Sequence, residues 1–89
     1  MNRDTLKTQL REILERSVGE EFATLEDSTS LKEGLNLDSV DMLSMTIEIQ
    51  SAFDISIQSD EVAGITTVGD VLDLMQQKLD AKASAAKAA

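Results

Sequence analysis

Between Val40 and Phe53 the chain carries apolar residues in two rows at once. Val40, Leu43 and Ile47 form one, and Met42, Met45, Ile49 and Phe53 the other. Steps of three and four residues along each row are helical spacing, and a helix apolar on more than one face must be covered on several sides. The rest of the chain therefore has to supply that cover.

The flanking segments are suited to it. Leu6, Leu10, Ile13, Leu14 and Val18 recur at three- and four-residue steps with Lys7, Arg11, Glu12 and Glu15 between them, which is one amphipathic helix. Asp4 or Thr5 is the expected cap and Gly19 the expected stop. A long loop follows from Glu20 to Ser30, with Phe22 and Leu25 as anchors into the core. Ser30 and Glu33 then show the S-x-x-E spacing of a capping box, which predicts a short turn of helix. Asp38 is placed to cap the second main helix, with Asp41 in its first turn. Phe53-Asp54-Ile55-Ser56-Ile57 alternates as a strand does, but no partner strand exists elsewhere, so it reads as an extended buried connection. Asp60 to Ile65 is a short third helix, limited by Gly64. The last helix starts at Thr67 with Asp70 at its third position, and buries Val68, Val71, Leu72, Met75 and Leu79.

These elements predict an all-α fold, a small four-helix bundle of three main helices plus one short helix with a long first loop, in which the first and last helices flank the middle one. Residues 1–80 form the domain, and the Ala/Lys-rich residues 81–89 a frayed C-terminal extension. Phe22 and Phe53 are the only aromatic residues, so the core must be aliphatic and methionine-rich. Val40, Leu43, Met45, Ile47, Ile55, Ile57, Ile65, Val71, Leu72 and Met75 are its expected members.

At 89 residues this is one small domain near the lower limit for a self-sufficient core. Cysteine and histidine are both absent, which excludes a disulfide scaffold, a thiol nucleophile, a Cys/His zinc site and a histidine base. An enzyme is therefore not expected. The net charge of −9 is unevenly spread: residues 17–77 hold Lys32 as their only base against thirteen acids. Nucleic acid and anionic membranes are poor partners for such a surface, and basic protein surfaces good ones. Charges interrupt the apolar residues near the N-terminus, and no stretch nears the roughly 18 apolar residues needed to span a bilayer, so no membrane insertion and a cytoplasmic location are expected.

Within this frame the segment Leu37-Asp38-Ser39-Val40 places a hydroxyl just behind a helix-capping acid. Taken alone, Ser39 reads as an ordinary helix-start serine, since Asp-Ser pairs are common. Its surroundings distinguish it. Leu31-Lys32-Glu33-Gly34-Leu35-Asn36-Leu37-Asp38-Ser39-Val40-Asp41, then Ile49 to Ile57, then Ile65-Thr66-Thr67-Val68-Gly69-Asp70-Val71, occur in order and without large gaps. This frame, spanning roughly residues 4 to 79, resembles the acyl carrier proteins, the phosphopantetheine-binding carriers.

The resemblance implies a 4′-phosphopantetheine arm derived from coenzyme A on Ser39, holding acyl intermediates as thioesters for fatty acid, lipid or polyketide assembly. It implies that a phosphopantetheinyl transferase directs the Ser39 hydroxyl onto the coenzyme A pyrophosphate, with Asp38 capping the helix and assisting the transferase magnesium. No metal site of the free protein is implied, since the loop lacks converging oxygen ligands. Leu43, Met45, Ile47, Ile57, Ile65, Leu72 and Met75 are the candidate liners of an acyl cavity. Asp38, Val40, Asp41, Glu48, Asp60 and Glu61 are candidate contacts for an acyl-loading ligase or synthase and for acyltransferases with basic docking surfaces. A monomer is expected.

The chain departs from the family pattern at several positions. Asn36 replaces the glycine often found three before the serine, Val40 the usual leucine, and Ser44, Gln50 and Ser51 positions commonly acidic in carriers of the fatty-acid-synthase type. A specialised carrier serving dedicated enzymes is the resulting expectation. An aminoacyl or peptidyl carrier of a nonribosomal-type pathway, and an unmodified helical interaction module, stay open as alternatives.

Overall fold

Asn2 begins the first helix, accepting the Thr5 N–H at 2.8 Å through its side-chain oxygen, and so takes the cap expected of Asp4 or Thr5. Asp4 lies instead within the first turn, where its negative charge suits the unpaired N–H groups. The helix, α1, runs Arg3–Val18 and stops as expected at Gly19, whose φ of +81° lets its N–H turn back to the Glu15 carbonyl. The remaining helices are α2 (Ser39–Phe53), α3 (Ser59–Ala63) and α4 (Val68–Ala88). The structure, a computed structural model, describes residues 2–19, 21 and 25–88, with side chains as far as 83. Among the described residues there is no strand, only an isolated bridge between Ser30 and Thr67. The expected anchor Phe22 lies outside them.

Helix α1 is the hub. Leu6, Leu10, Ile13 and Leu14 are buried along it, and it packs against both α2 and α4, so the central position expected of α2 belongs to α1. The core is aliphatic and sulfur-rich, with Met42, Met45 and Met75 buried among leucines, isoleucines and valines, and Phe53 only packed at its margin. Leu79, expected inside, is also marginal.

The loop before α2 is fastened to the start of α4. Leu31 N–H donates to the Thr66 carbonyl at 2.9 Å, Val68 N–H to Thr29 at 3.0 Å, and Gly69 N–H to Asp27 at 2.8 Å. A Cβ on Gly69 would stand 3.0 Å from the Asp27 carbonyl oxygen, so only glycine allows this approach without a shift. Arg3 adds a clamp from α1, donating to Asp27 Oδ2 at 2.9 and 3.0 Å and to Asp73 at 2.8 Å, while Lys7 reaches Asp27 at 2.6 Å. Ser30 Oγ accepts Glu33 N–H at 3.2 Å, and Gly34 N–H donates to the Ser30 carbonyl. That is the single turn the S-x-x-E spacing predicts.

Asp70 Oδ2 accepts from the N–H groups of Thr66 and Thr67 and from the Thr66 hydroxyl, and Thr67 Oγ1 accepts Asp70 N–H at 3.2 Å, which builds the expected start of α4. The extension expected to fray continues α4 as helix through Ala88, and Lys82 on it reaches back to the Phe53 carbonyl at 3.1 Å and to Asp54 at 3.2 Å. The connection expected over residues 53–57 is found at 55–58, since Phe53 is the last residue of α2 and Asp54, at φ +53°, is its left-handed cap. Gln50 holds it, since its side-chain oxygen accepts Ile57 N–H at 3.0 Å and its amide donates to the Thr46 carbonyl. Helix α3 buries no residue fully. It is tied to α4 by the Glu61–Lys78 pair at 2.9 Å, in which both side chains are about three-quarters shielded.

Candidate functional site

The approach to α2 alternates between core and surface. Leu35 and Leu37 are buried while Asn36 and Asp38 are exposed, and the Leu37 N–H donates to the Leu31 carbonyl at 3.0 Å. Asn36 has φ +60°, the left-handed region that asparagine tolerates better than most side chains, so it can occupy a position where glycine would be free of strain. Asp38 then caps the helix: its Oδ1 accepts Asp41 N–H at 2.8 Å, and Asp41 Oδ2 accepts Asp38 N–H at 3.3 Å. Ser39 is the first helical residue. Its side chain is exposed, and among the described residues its Oγ makes no hydrogen bond.

Two open hollows meet at Ser39. The smaller, of about 160 Å³, is lined by Lys32, Ser39, Met42, Val62, Ala63 and Ile65. The larger, of about 300 Å³, lies between Ser39 and Leu43 on α2 and Ser59 and Val62 on α3. Of the expected liners, Ile65 and Leu43 face these hollows. Met45, Leu72 and Met75 are instead fully enclosed in the core, and Ile57 is 8% exposed below the surface. Met42, Ser59, Val62, Ala63 and Lys32 are liners that pattern reading missed. Met42 carried a usable signal, being three residues after Ser39 and so on the same helix face. The α3 residues carried none, since their neighbourhood to Ser39 is set by the connection between helices.

The first apolar row of α2 corrects the sequence reading most sharply. Val40, Leu43 and Ile47, expected in the core, are 69%, 58% and 54% exposed. One face of α2 packs inward through Met42, Met45, Thr46 and Ile49, while the second apolar row is left as a ridge at the surface. Such a ridge is a surface feature of the domain rather than part of its core.

The acids expected at the docking face divide into two groups. Asp38 and Asp60 are exposed, and Asp41 and Glu48 are half-buried, with Glu48 3.6 Å from Arg16. Glu61 is committed internally. The Gln58 N–H and then Lys78 hold its carboxyl below the usual glutamate range. Among the described residues no group of acids is arranged to hold a metal ion, and no helix is long and apolar enough to cross a membrane.

Residues 4–75 match the family model described as phosphopantetheine attachment site. The chain is similar to the acyl carrier protein of an Exiguobacterium species, at 25% identity over 89% of this chain and all of the relative, and to that of Exiguobacterium sibiricum at 23% over the same shares. It is also similar in structure to an acyl carrier protein from Thermotoga maritima, with 28% identity and a TM-score of 0.83 over 90% of this chain and 93% of that one. A holo acyl carrier protein from Geobacter metallireducens shares the fold, with a TM-score of 0.76 at 22% identity over 86% of this chain and 88% of that one. The chain belongs to the acyl carrier protein family: it is a carrier rather than an enzyme, and its prosthetic group is covalently attached 4′-phosphopantetheine.

Proposed function

We propose that Ser39 bears the 4′-phosphopantetheine group and that the chain presents acyl intermediates to a dedicated synthase, ligase or acyltransferase of fatty acid, lipid or polyketide assembly. One observation carries the choice of Ser39: its hydroxyl is exposed and unengaged among the described residues, because Asp38 performs the capping a helix-start serine otherwise does. A phosphodiester at this first helical position faces free N–H groups and the positive end of the α2 dipole. The bound group supplies a thiol, the one chemistry a chain without cysteine needs to carry acyl thioesters.

In the loading reaction the Ser39 oxygen forms a new bond to phosphorus while a pyrophosphate P–O bond of coenzyme A breaks and the nucleotide half departs. The hydroxyl proton passes to a base in the complex with the transferase, one that is not a histidine of this chain. The surface ridge of Val40, Leu43 and Ile47, bordered by Asp38, Asp41 and Glu48, with Asp60 on α3, is suited to a partner with an apolar groove and a basic rim. Ser44, Gln50 and Ser51 thin the acidic face, which favours a dedicated partner over general fatty-acid synthesis. Gln50 in particular serves the fold by holding Ile57.

Co-expression with a broad-specificity phosphopantetheinyl transferase followed by intact mass measurement tests the attachment. The wild-type chain is expected to gain the mass of the arm and Ser39→Ala to gain nothing. An unmodified wild-type chain that is folded, or an equal gain in the alanine variant, overturns the assignment.

A further inference from the structure

The acidic stretch from 17 to 77 contains one base, and the fold brings that base to the hollow beside Ser39. Lys32 lines the smaller hollow together with Ser39, Met42, Val62, Ala63 and Ile65. Its place is not left to chance. The turn that carries it is fastened on one side by Leu31 N–H to the Thr66 carbonyl at 2.9 Å, and on the other by Leu37 N–H to the Leu31 carbonyl at 3.0 Å, two residues before Ser39. Gly34 closes the turn so tightly that a Cβ there would meet the Ser30 carbonyl oxygen at 2.6 Å. Arg3, Lys7, Arg16, Lys78 and Lys82 pair with carboxylates; among the described residues Lys32 and Arg11 take part in no ion pair, and of these two Lys32 lines the hollow. Neither Glu33 beside it in the chain nor Asp38 or Asp41 near Ser39 pairs with its ammonium.

A phosphodiester on Ser39 adds a negative charge next to Asp38 and Asp41, whose carboxylates repel it. An unpaired ammonium lining the same hollow offsets that repulsion, and it favours arrangements in which the phosphodiester lies on the Lys32 side, over the hollow rather than out along α2. We infer that Lys32 is a positioning residue for the phosphodiester on Ser39, biasing the arm toward the smaller hollow against α3. The inference rests on Ser39 as the attachment residue and adds a second residue to the same site.

The test follows the lysine side chains and the phosphorus separately. In protein labelled with carbon-13 and nitrogen-15 at lysine, the terminal signals of Lys32 are expected to move between the unloaded and loaded wild-type chain and to move back as salt is added, while those of Lys82, tied to Asp54, stay. In loaded Lys32→Gln the phosphorus resonance is expected to be displaced from wild type, with Lys32→Arg restoring most of the difference. A lysine confined to a structural role would alter the unloaded protein instead. A wild-type chain that gains no mass sinks the Ser39 assignment and this inference together. A chain that gains the mass while the Lys32 signals stay put, or whose phosphorus resonance is the same in Lys32→Gln, sinks this inference alone. Should Lys32→Gln refuse the arm, the Lys32 signals of the wild-type chain decide.

Discussion

Asp38 and Ser39 divide between them two tasks that one residue often holds. The carboxylate satisfies the helix, and the hydroxyl is left exposed, free for the attachment proposed above. Replacing Asp38 by alanine is therefore expected to cost about 1 kcal/mol in urea unfolding, the usual worth of a cap, while asparagine, an equally good cap, keeps most of it. Equal losses for both would mean that charge rather than the hydrogen bond matters at this position. Asp70 is an acid-sensitive residue of the fold. The Thr66 hydroxyl first, then the N–H groups of Thr66 and Thr67, hold its carboxyl below the ordinary aspartate range. With the folded value depressed, the unfolded chain binds more protons in the window beneath about pH 4, so this contribution is present above that window and is lost as pH falls through the folded value. Asp27, held by Lys7 and Arg3, and Glu61 act in the same direction. Urea midpoints followed from neutral to acid pH are expected to fall less steeply in Asp70→Asn than in the wild type, and parallel curves would count against this account.

Among the elements, α1 and the outer row of α2 are equally apolar in sequence and opposite in position. Leu10, fully buried on α1, is expected to cost about 2 to 5 kcal/mol on change to alanine. Leu43→Ala is expected to leave stability within about 0.5 kcal/mol of wild type, as a surface change does, while weakening partner binding. The contrast can be read from two denaturation curves. It also marks how far the helices were legible in the chain. Periodicity located α1, α2 and α4, Gly64 bounded the short α3, and the caps at Asp38 and Thr67 and the stop at Gly19 followed from residue type. What periodicity does not contain is which apolar face another element covers. That depends on where the connections lead, and here they place α1 against one side of α2 and leave Val40, Leu43 and Ile47 bare. The same limit hid the neighbours of Ser39, because Lys32 and Val62 reach it through the loop and α3 rather than through spacing. Asn2 displaced Asp4 as the cap for a smaller reason, since several adjacent polar residues can each begin a helix.

For the whole molecule the governing quantity is charge distribution. The bases are concentrated in the first and last segments, and among them Arg3, Lys7, Lys78 and Lys82 fasten parts of the fold to one another, which leaves the face around α2 and α3 negative. Changing Asp41 and Glu48 together to lysine is expected to slow association with a basic partner enzyme several-fold at low ionic strength and much less at high, where charges beyond about 10 Å are screened. Stopped-flow association rates at two salt concentrations check this, and an equal slowing at both would assign the acids to contact rather than steering. The bare ridge has a geometric consequence of its own. Val40, Leu43 and Ile47 run from the residue beside Ser39 along about 10 Å of one helix, so a protein that grips them also fixes where the arm proposed at Ser39 begins. With the arm proposed at Ser39, the length of the tether then sets an upper bound on how deep a chamber entered from this ridge can be.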